Sequence, residues 1–348
     1  MRQRLLRYRA GPAARRRIVR DGLRPGVVRA VVGPASGPKW LVLAGLDRAL
    51  LTSDLLSEGR IVLAGASAGA WRMAVYTCRD PLRTHRALLD GYVGQVFPRG
   101  VDHRTVSAAY RRLLTDLLGA EAEGVVSHPV FDLAVHTVRQ RFTRSRPGLA
   151  ASLAAATALD YAGVRATGWF FERVLFHSRP ENLGADFNGR VVPLDGANLV
   201  DAVLASGAVP IYLDAVRDPP GAPSGAYVDG GLTDYHLNQR WVPPGDGVVL
   251  MPHYRREVLA RWLDKRRPSR ALPADLTGDI LVVHPSERFF ARLPGGRIPD
   301  REDFREFADL PEVRIERWRT VAAESEALGE EFLGDLESGR LADLIEAL

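Results

Sequence analysis

The chain has 348 residues, of which 46% are hydrophobic and 26% charged, a balance typical of a soluble globular protein. A single cysteine, Cys78, excludes an internal disulfide and a cysteine-rich metal site, which fits a reducing compartment. No apolar run approaches the roughly 18 residues that a membrane-spanning helix needs. We therefore expect a cytoplasmic protein without membrane spans.

The net charge of +5 is unevenly distributed along the chain. Residues 1–20 hold eight arginines and no acid, whereas residues 301–348 hold fourteen acidic and six basic residues. The chain has 45 arginines and two lysines, which indicates a general composition bias and not selection for phosphate contacts. We expect no nucleic-acid partner. We interpret the N-terminal segment as a basic arm that contacts either an anionic membrane surface or the acidic C-terminal tail, and arginine-rich starts without acidic residues also occur in organelle transit peptides.

Apolar, β-favouring runs alternate with helical patterns, which predicts an α/β fold with a mostly parallel central sheet flanked by helices. The strands are expected at residues 27–32, 61–63, 191–194, 226–228, 247–251 and 280–283. Between them, residues 81–165 are interpreted as a helical insertion, and the chain from residue 301 as an exposed amphipathic helix. The predicted divisions are a basic arm (1–24), an α/β domain (25–290) and an acidic helical tail (291–348).

The first motif, GPASGPK, follows the first predicted strand. Its small residues, Gly33 to Gly37, form a loop that can turn consecutive backbone amides toward one point and stabilise an oxyanion. Lys39, one of only two lysines, would hold the geometry of the loop from behind. The alternative is an ordinary turn between a strand and a helix.

The second motif, GASAG, lies between a predicted strand and a predicted helix. Gly65 and Gly69 allow a strained turn on which the hydroxyl of Ser67 points out of the sheet, at the amino end of a helix. This is the arrangement of a nucleophile elbow. The alternative is a tight connection with a buried serine.

The third motif, YVDGG, places Asp229 at the end of a predicted strand and before Gly230 and Gly231, which allow close backbone approach. A carboxylate in this position can accept the proton of Ser67 directly. Asp195 also precedes a glycine, but it comes before a predicted helix, and we interpret it as a helix-start turn residue.

The three motifs, with ASGAVP between the second and third, resemble the patatin-like phospholipase family over roughly residues 27–234. The resemblance implies a three-layer fold in which Ser67 is the nucleophile, Asp229 is the base of a two-residue dyad, and the small-residue loop is the oxyanion hole. It also implies hydrolysis of a lipid or other acyl ester through an acyl-enzyme, with no metal or cofactor.

The loop departs from the family pattern of three glycines, a variable residue, Lys or Arg, and glycine, because residues 35–40 read ASGPKW. Pro38 has no amide hydrogen and cannot donate. The expected donors are therefore the amides of Ser36 and Gly37, together with Lys39. Trp40 in place of glycine is expected to alter the pocket wall.

Two alternatives to the dyad remain open. In a Ser-His-Asp hydrolase, His253 or His284 would follow Asp229 in the chain order of that fold. A non-catalytic lipid-binding protein on the same fold would use none of these groups for chemistry. The eight histidines show no zinc-type spacing, and the sequence leaves the acyl chain, the head group and the oligomeric state open.

Overall fold

A computed structural model describes residues 4–183, 187–236, 239–266 and 272–348 of the chain. The strands are β1 (Leu6–Ala10), β2 (Val28–Gly33), β3 (Ile61–Ala66), β4 (Phe131–Gln140), β5 (Phe171–His177), β6 (Arg190–Pro193), β7 (Val216–Arg217), β8 (Ala226–Asp229), β9 (Val248–Pro252), β10 (Ile280–Pro285) and β11 (Ile345–Ala347).

The α-helices are α1 (Pro12–Asp21), α2 (Ala44–Thr52), α3 (Ala68–Tyr76), α4 (Pro81–Val93), α5 (His103–Leu118), α6 (Ala122–Val126), α7 (Arg146–Tyr161), α8 (Thr167–Phe170), α9 (Leu199–Gly207), α10 (Ala274–Thr277), α11 (Glu287–Phe290), α12 (Glu302–Glu306) and α13 (Pro311–Glu337). Within the described residues, none of these helices is long and apolar enough to cross a membrane.

The strands of the described residues join in one sheet with the order β11-β1-β10-β9-β2-β3-β4-β5-β6. The centre of the sheet is parallel, from β10 through β9, β2 and β3 to β4. Strand β1 is antiparallel to β10, and β5 and β8 are both antiparallel to β4. Buried apolar side chains cover both faces of the sheet, and helices flank it. The predicted α/β fold with a mostly parallel sheet is confirmed, and all six predicted strands are present within a few residues of their expected bounds.

The region predicted as a helical insertion contains a central strand, so that interpretation was wrong for residues 131–140. Strand β4 is buried on both faces, yet several of its residues are polar. Asp132, His136 and Thr137 are at most 4% exposed. Such residues interrupt the apolar run by which a buried parallel strand is recognised in a sequence. The rest of the region does form helices, α4 to α7.

The first 24 residues are part of the fold within the described range, which begins at residue 4. Strand β1 lies between β10 and β11, and its side chains Leu6 and Tyr8 are buried. Helix α1 buries Ala14 and Ile18. The interpretation as a solvated arm is therefore corrected, because alternate residues of this arginine-rich segment are apolar and fill the core.

The C-terminal segment is also an integral part of the molecule. Helix α13 buries Trp318, Leu328 and Phe332 and packs against α2, so the expectation of an exposed helix was wrong. Strand β11 then pairs with β1 at the edge of the sheet. The two ends of the chain thus meet in adjacent strands.

Candidate active site

Ser67 and Asp229 come together because β3 and β8 share one edge of β4. Strand β3 runs parallel to β4 and places Ala66 opposite His136. Strand β8 runs antiparallel to β4 and places Asp229 opposite Thr137, the next residue along. Since Ser67 directly follows Ala66, the ends of the two strands meet with both predicted catalytic residues between them.

Ser67 adopts the strained backbone conformation of an elbow between β3 and α3. Its φ of 56° and ψ of −133° are rare for a residue that has a side chain. A Cβ at Gly69 would overlap the carbonyl oxygen of Gly33 on the neighbouring strand, and one at Gly65 would overlap the backbone of Ala70. The sharp turn therefore requires glycine at both positions.

The two side chains form a direct hydrogen bond. Ser67 Oγ donates to Asp229 Oδ2 at 2.7 Å, and the amide of Gly231 donates to Asp229 Oδ1 at 2.7 Å. Both residues are buried, with Ser67 6% and Asp229 7% exposed. At Gly230 an added Cβ would overlap the carbonyl of His136, so the glycine pair lets the carboxylate approach β4 closely.

Burial raises the pKa of Asp229 from its ordinary value of 3.8 to about 6. The hydrogen bonds from Ser67 and Gly231 act in the opposite direction, as does the positive charge of Arg301, but desolvation outweighs them. A carboxylate with this pKa is a stronger base than an exposed aspartate and is still ionised at neutral pH.

The backbone of Ser67 is held in place by a second serine. Ser206 Oγ accepts a hydrogen bond from the amide of Ser67 at 2.9 Å and donates to the carbonyl of His136 at 2.6 Å. The residue belongs to α9 and to the ASGAVP motif, from which no individual role is predicted for it. The bond ties the elbow to both α9 and β4.

The small-residue loop lies beside the elbow and presents Gly37 to it. Gly37 has a φ of 54°, and within the described residues its amide has no backbone acceptor. The amide of Ala35 is already bound, to the carbonyl of Tyr235 at 2.7 Å. Ser36 is buried and, unlike Gly37, does not line the cavity at Ser67.

Lys39 does not line the cavity at Ser67. Its ammonium group pairs with Asp300, which follows the predicted α/β domain in the chain. Lys39 therefore holds the loop from behind, as expected. Its other expected role, as a donor to the oxyanion, does not fit this placement. Trp40 is buried against Tyr92, with ring centroids 5.7 Å apart, and does not form the wall of the cavity.

A chain of buried hydrogen bonds supports the loop from its other side. The amide of Leu259 donates to Nδ1 of His236 at 2.9 Å, which leaves Nε2 to donate to the hydroxyl of Tyr254 at 3.0 Å. Tyr254 also lies 3.0 Å from the hydroxyl of Tyr235 and donates to the carbonyl of Ala35 at 3.4 Å. This network reaches the loop only two residues before Gly37.

Ser67 opens into a cavity of about 580 Å³. Gly37 and Ala68 line it next to the serine, and the amide of Ala68, the first residue of α3, has no backbone acceptor within the described residues. Most of the wall is apolar or aromatic, including Trp71, Tyr92, Phe97, Val106, Tyr110 and Phe304. The predicted helical region supplies part of this wall, residues 207–213 and the C-terminal segment supply further parts, and Trp71 lies on α3.

Asp195, the other aspartate that precedes a glycine, and the histidines form their hydrogen bonds elsewhere. Asp195 Oδ1 accepts the amides of Ala197 and Asn198 just before α9, so it is the helix-start turn residue expected. His253 Nδ1 and His284 Nδ1 contact backbone carbonyl groups. Within the described residues, no histidine is hydrogen-bonded to the dyad, and no three side chains of the metal-binding types are clustered as a metal ion requires.

No protein-family model matches the chain, and no curated protein matches it.

Four residues that contribute to the site were not predicted from the sequence. Asp300 and Arg301 lie outside the three motifs. Nothing in the neighbouring sequence marks them as site residues, because an acidic and a basic residue side by side are common on any protein surface. Tyr254 likewise follows a strand without a recognisable pattern. The amide of Ala68 could have been found, since the residue after an elbow serine begins the helix.

Proposed function

We propose that the protein is a serine acyl hydrolase of the patatin-like phospholipase type, acting on lipid or other acyl esters. The observation that carries this proposal is the direct 2.7 Å hydrogen bond between Ser67 and Asp229 on a strained elbow. The three-layer fold implied by the resemblance is consistent with the sheet and its flanking helices. The largely apolar cavity suits an acyl chain.

In the proposed reaction, Asp229 takes the proton of Ser67 as Oγ attacks the ester carbonyl. The tetrahedral intermediate collapses to an acyl-enzyme, and the departing alcohol takes up the proton from Asp229. Asp229 then removes a proton from water, whose oxygen attacks the acyl-enzyme. As the bond to Ser67 Oγ breaks and the carboxylic acid is released, Asp229 returns this proton to Oγ, which restores both residues. No metal or cofactor enters these steps.

The proposed oxyanion donors are the amides of Gly37 and Ala68. Both residues line the cavity beside Ser67, and the amide of Ala68 lies at the positive end of the α3 dipole. They replace the donors expected from the sequence at Ser36 and Lys39. Loss of one such donor lowers the rate by about 10²–10³ in other serine hydrolases.

The triad alternative has less support. A histidine between Ser67 and Asp229 would separate their oxygens, whereas these oxygens lie in direct contact. His236, the histidine nearest in sequence to Asp229, has both ring nitrogens engaged, with Leu259 and Tyr254.

The test is labelling with a fluorophosphonate probe and hydrolysis of a panel of acyl esters. Wild-type protein should be labelled at Ser67, and Ser67→Ala should lose label and nearly all turnover while it keeps its melting temperature. Ser325→Ala is the matched control, because it removes a buried hydroxyl that accepts from the amide of Gly45 and donates to the carbonyl of Ala322, without contact to the dyad, and it should still be labelled. Unlabelled wild-type protein, or more than a tenth of the activity left in Ser67→Ala, would overturn the assignment and favour a lipid-binding role.

A further inference from the structure

Four arginines line the cavity that contains Ser67, and three of them are held by other protein groups. Arg99 Nε lies 2.8 Å from a carboxylate oxygen of Asp309. The exposed Arg305 pairs with Glu302 at 2.7 Å, one turn away on α12. Neither charge is left without a partner for a ligand in the cavity.

Arg146 donates a hydrogen bond to the carbonyl of Ile211 at the cavity wall. Arg301 is different. Within the described residues its guanidinium group forms no ion pair and no hydrogen bond, and it lies over the ring of Tyr212 at 5.1 Å from the centroid. The cavity thus contains one arginine whose five N–H groups remain available.

Arg301 is also close to the reacting groups. Its Cγ would lie 3.6 Å from a Cβ built on Gly37, so its side chain runs along the proposed oxyanion loop. Its positive charge lowers the pKa of Asp229 and so opposes part of the increase that burial causes. The guanidinium group therefore faces the same space as the dyad.

The segment that carries Arg301 is fixed to the rest of the molecule on both sides. Asp300 pairs with Lys39 of the loop, and Asp303 accepts a hydrogen bond from Nε1 of the buried Trp318 at 2.8 Å. The position of the guanidinium group relative to Gly37 is therefore set by the fold and not by a free surface side chain.

We propose that Arg301 forms an anion subsite of the catalytic cavity, so that the preferred substrates are acyl esters carrying a phosphate or carboxylate a few bonds from the scissile carbonyl. The planar guanidinium group matches both anions through paired hydrogen bonds. A charged group in a largely apolar cavity also attracts an opposite charge more strongly than it would in water. This inference rests on the proposed hydrolase function.

The experiment compares two pairs of substrates that share one acyl chain and differ in charge. The first pair is an acylglycerol phosphate and the corresponding acylglycerol, and the second is a 4-acyloxybenzoate and the corresponding phenyl ester. Wild-type protein should prefer the anionic member of at least one pair in kcat/KM. Arg301→Gln should reduce that preference about tenfold or more, mainly through KM, and Arg301→Lys should restore part of it.

Arg305→Gln is the matched control. It removes the same charge four residues along the chain, from an arginine that is already paired with Glu302. It should keep the wild-type preference. A preference in only one pair would identify the anion as phosphate or carboxylate. If Arg301→Gln lowers kcat/KM equally for both members of a pair, the subsite proposal is wrong. It is also wrong if wild-type protein does not prefer the anionic member of either pair.

Binding separates this proposal from the proposed function. Ser67→Ala protein cannot turn over, and its affinity for the acylglycerol phosphate and for the 4-acyloxybenzoate can be measured by calorimetry with and without Arg301→Gln. If wild-type protein fails to label or to cleave any ester, the hydrolase proposal fails. The subsite fails separately if Arg301→Gln leaves unchanged the affinity of Ser67→Ala protein for both anionic esters, the acylglycerol phosphate and the 4-acyloxybenzoate.

Discussion

At the scale of single residues, Asp229 meets two opposing requirements. A base that takes a proton from serine must lie against its hydroxyl and away from water, and burial raises its pKa to about 6. The same burial disfavours the ionised form that the reaction needs. The hydrogen bonds from Ser67 and Gly231 offset part of that effect and leave the group charged at neutral pH.

Activity should therefore fall on acidification through about pH 6, because protonated Asp229 cannot accept the serine proton. The measurement is kcat/KM for a soluble short-chain ester between pH 4.5 and 8. Because burial brings this pKa near that of an ordinary histidine, the pH profile alone cannot distinguish a dyad from a triad. The distinction needs His236→Ala, His253→Ala and His284→Ala, each of which should retain substantial turnover in folded protein.

Asp229→Asn should abolish activity and raise stability at neutral pH. The folded-state pKa of Asp229 is higher than its unfolded value, so the folded protein binds the extra proton between about pH 4 and 6, and wild-type stability falls as pH rises through this window. The shift corresponds to about 3 kcal/mol above pH 6.

The measurement is denaturant unfolding of wild type and Asp229→Asn at pH 4 and pH 7. The difference in unfolding free energy should be small at pH 4 and favour the variant at pH 7. A difference that does not change with pH would mean that burial does not raise this pKa.

At the scale of elements, the proposed oxyanion loop is held by contacts from distant parts of the chain. Lys39 pairs with Asp300 on one side, and Tyr254 reaches the carbonyl of Ala35 on the other. A loop that lacks three of the four glycines expected from the resemblance thus has a fixed geometry supplied by its neighbours.

Tyr254→Phe should lower kcat by about tenfold while KM changes little. The variant removes the hydrogen bonds to His236 and to the loop, so the amide of Gly37 is less accurately placed when charge develops on the oxyanion. Tyr8→Phe is the control, because it also removes a buried hydroxyl contact, to Asp335, far along the sheet. Both variants should lose stability, and a normal kcat in Tyr254→Phe would contradict a positioning role.

At the scale of the whole molecule, the two ends of the chain complete the sheet. Strand β1 lies between β10 and β11, and α13 packs over the core with Trp318 and Phe332 buried. The same C-terminal segment brings Asp300 and Arg301 to the cavity. Contact of the basic N-terminal segment with an anionic membrane stays a prediction, and it would have to involve residues that also belong to the fold.

Deletion of residues 1–21 should therefore yield unfolded or aggregated protein. It exposes the edge of β10 and removes buried side chains such as Leu6, Tyr8 and Ile18, each worth about 1.5–3 kcal/mol, against a typical total stability of about 5–15 kcal/mol. The measurement is circular dichroism with thermal melting. A folded, active truncated protein would contradict the structural role of β1.

The role of the positive charge of the N-terminal segment can be tested in a protein that keeps strand β1. Arg15→Gln with Arg16→Gln removes two exposed charges of α1 and should leave the melting temperature nearly unchanged. If the N-terminal segment contacts anionic vesicles, this double variant should bind them less strongly at low salt.

The sequence by itself determined the local chemistry of this protein. Six strands, the elbow at Ser67 and the aspartate before a glycine pair could be predicted, because apolar runs, glycine and turn residues act over a few neighbouring positions. Tertiary structure decided what these parts form together. The register of β4, a strand whose buried polar residues concealed it, brings Ser67 and Asp229 into contact across 162 positions. The placement of Lys39, Tyr254 and Arg301 depends in the same way on long-range packing, which leaves no periodic pattern in the sequence.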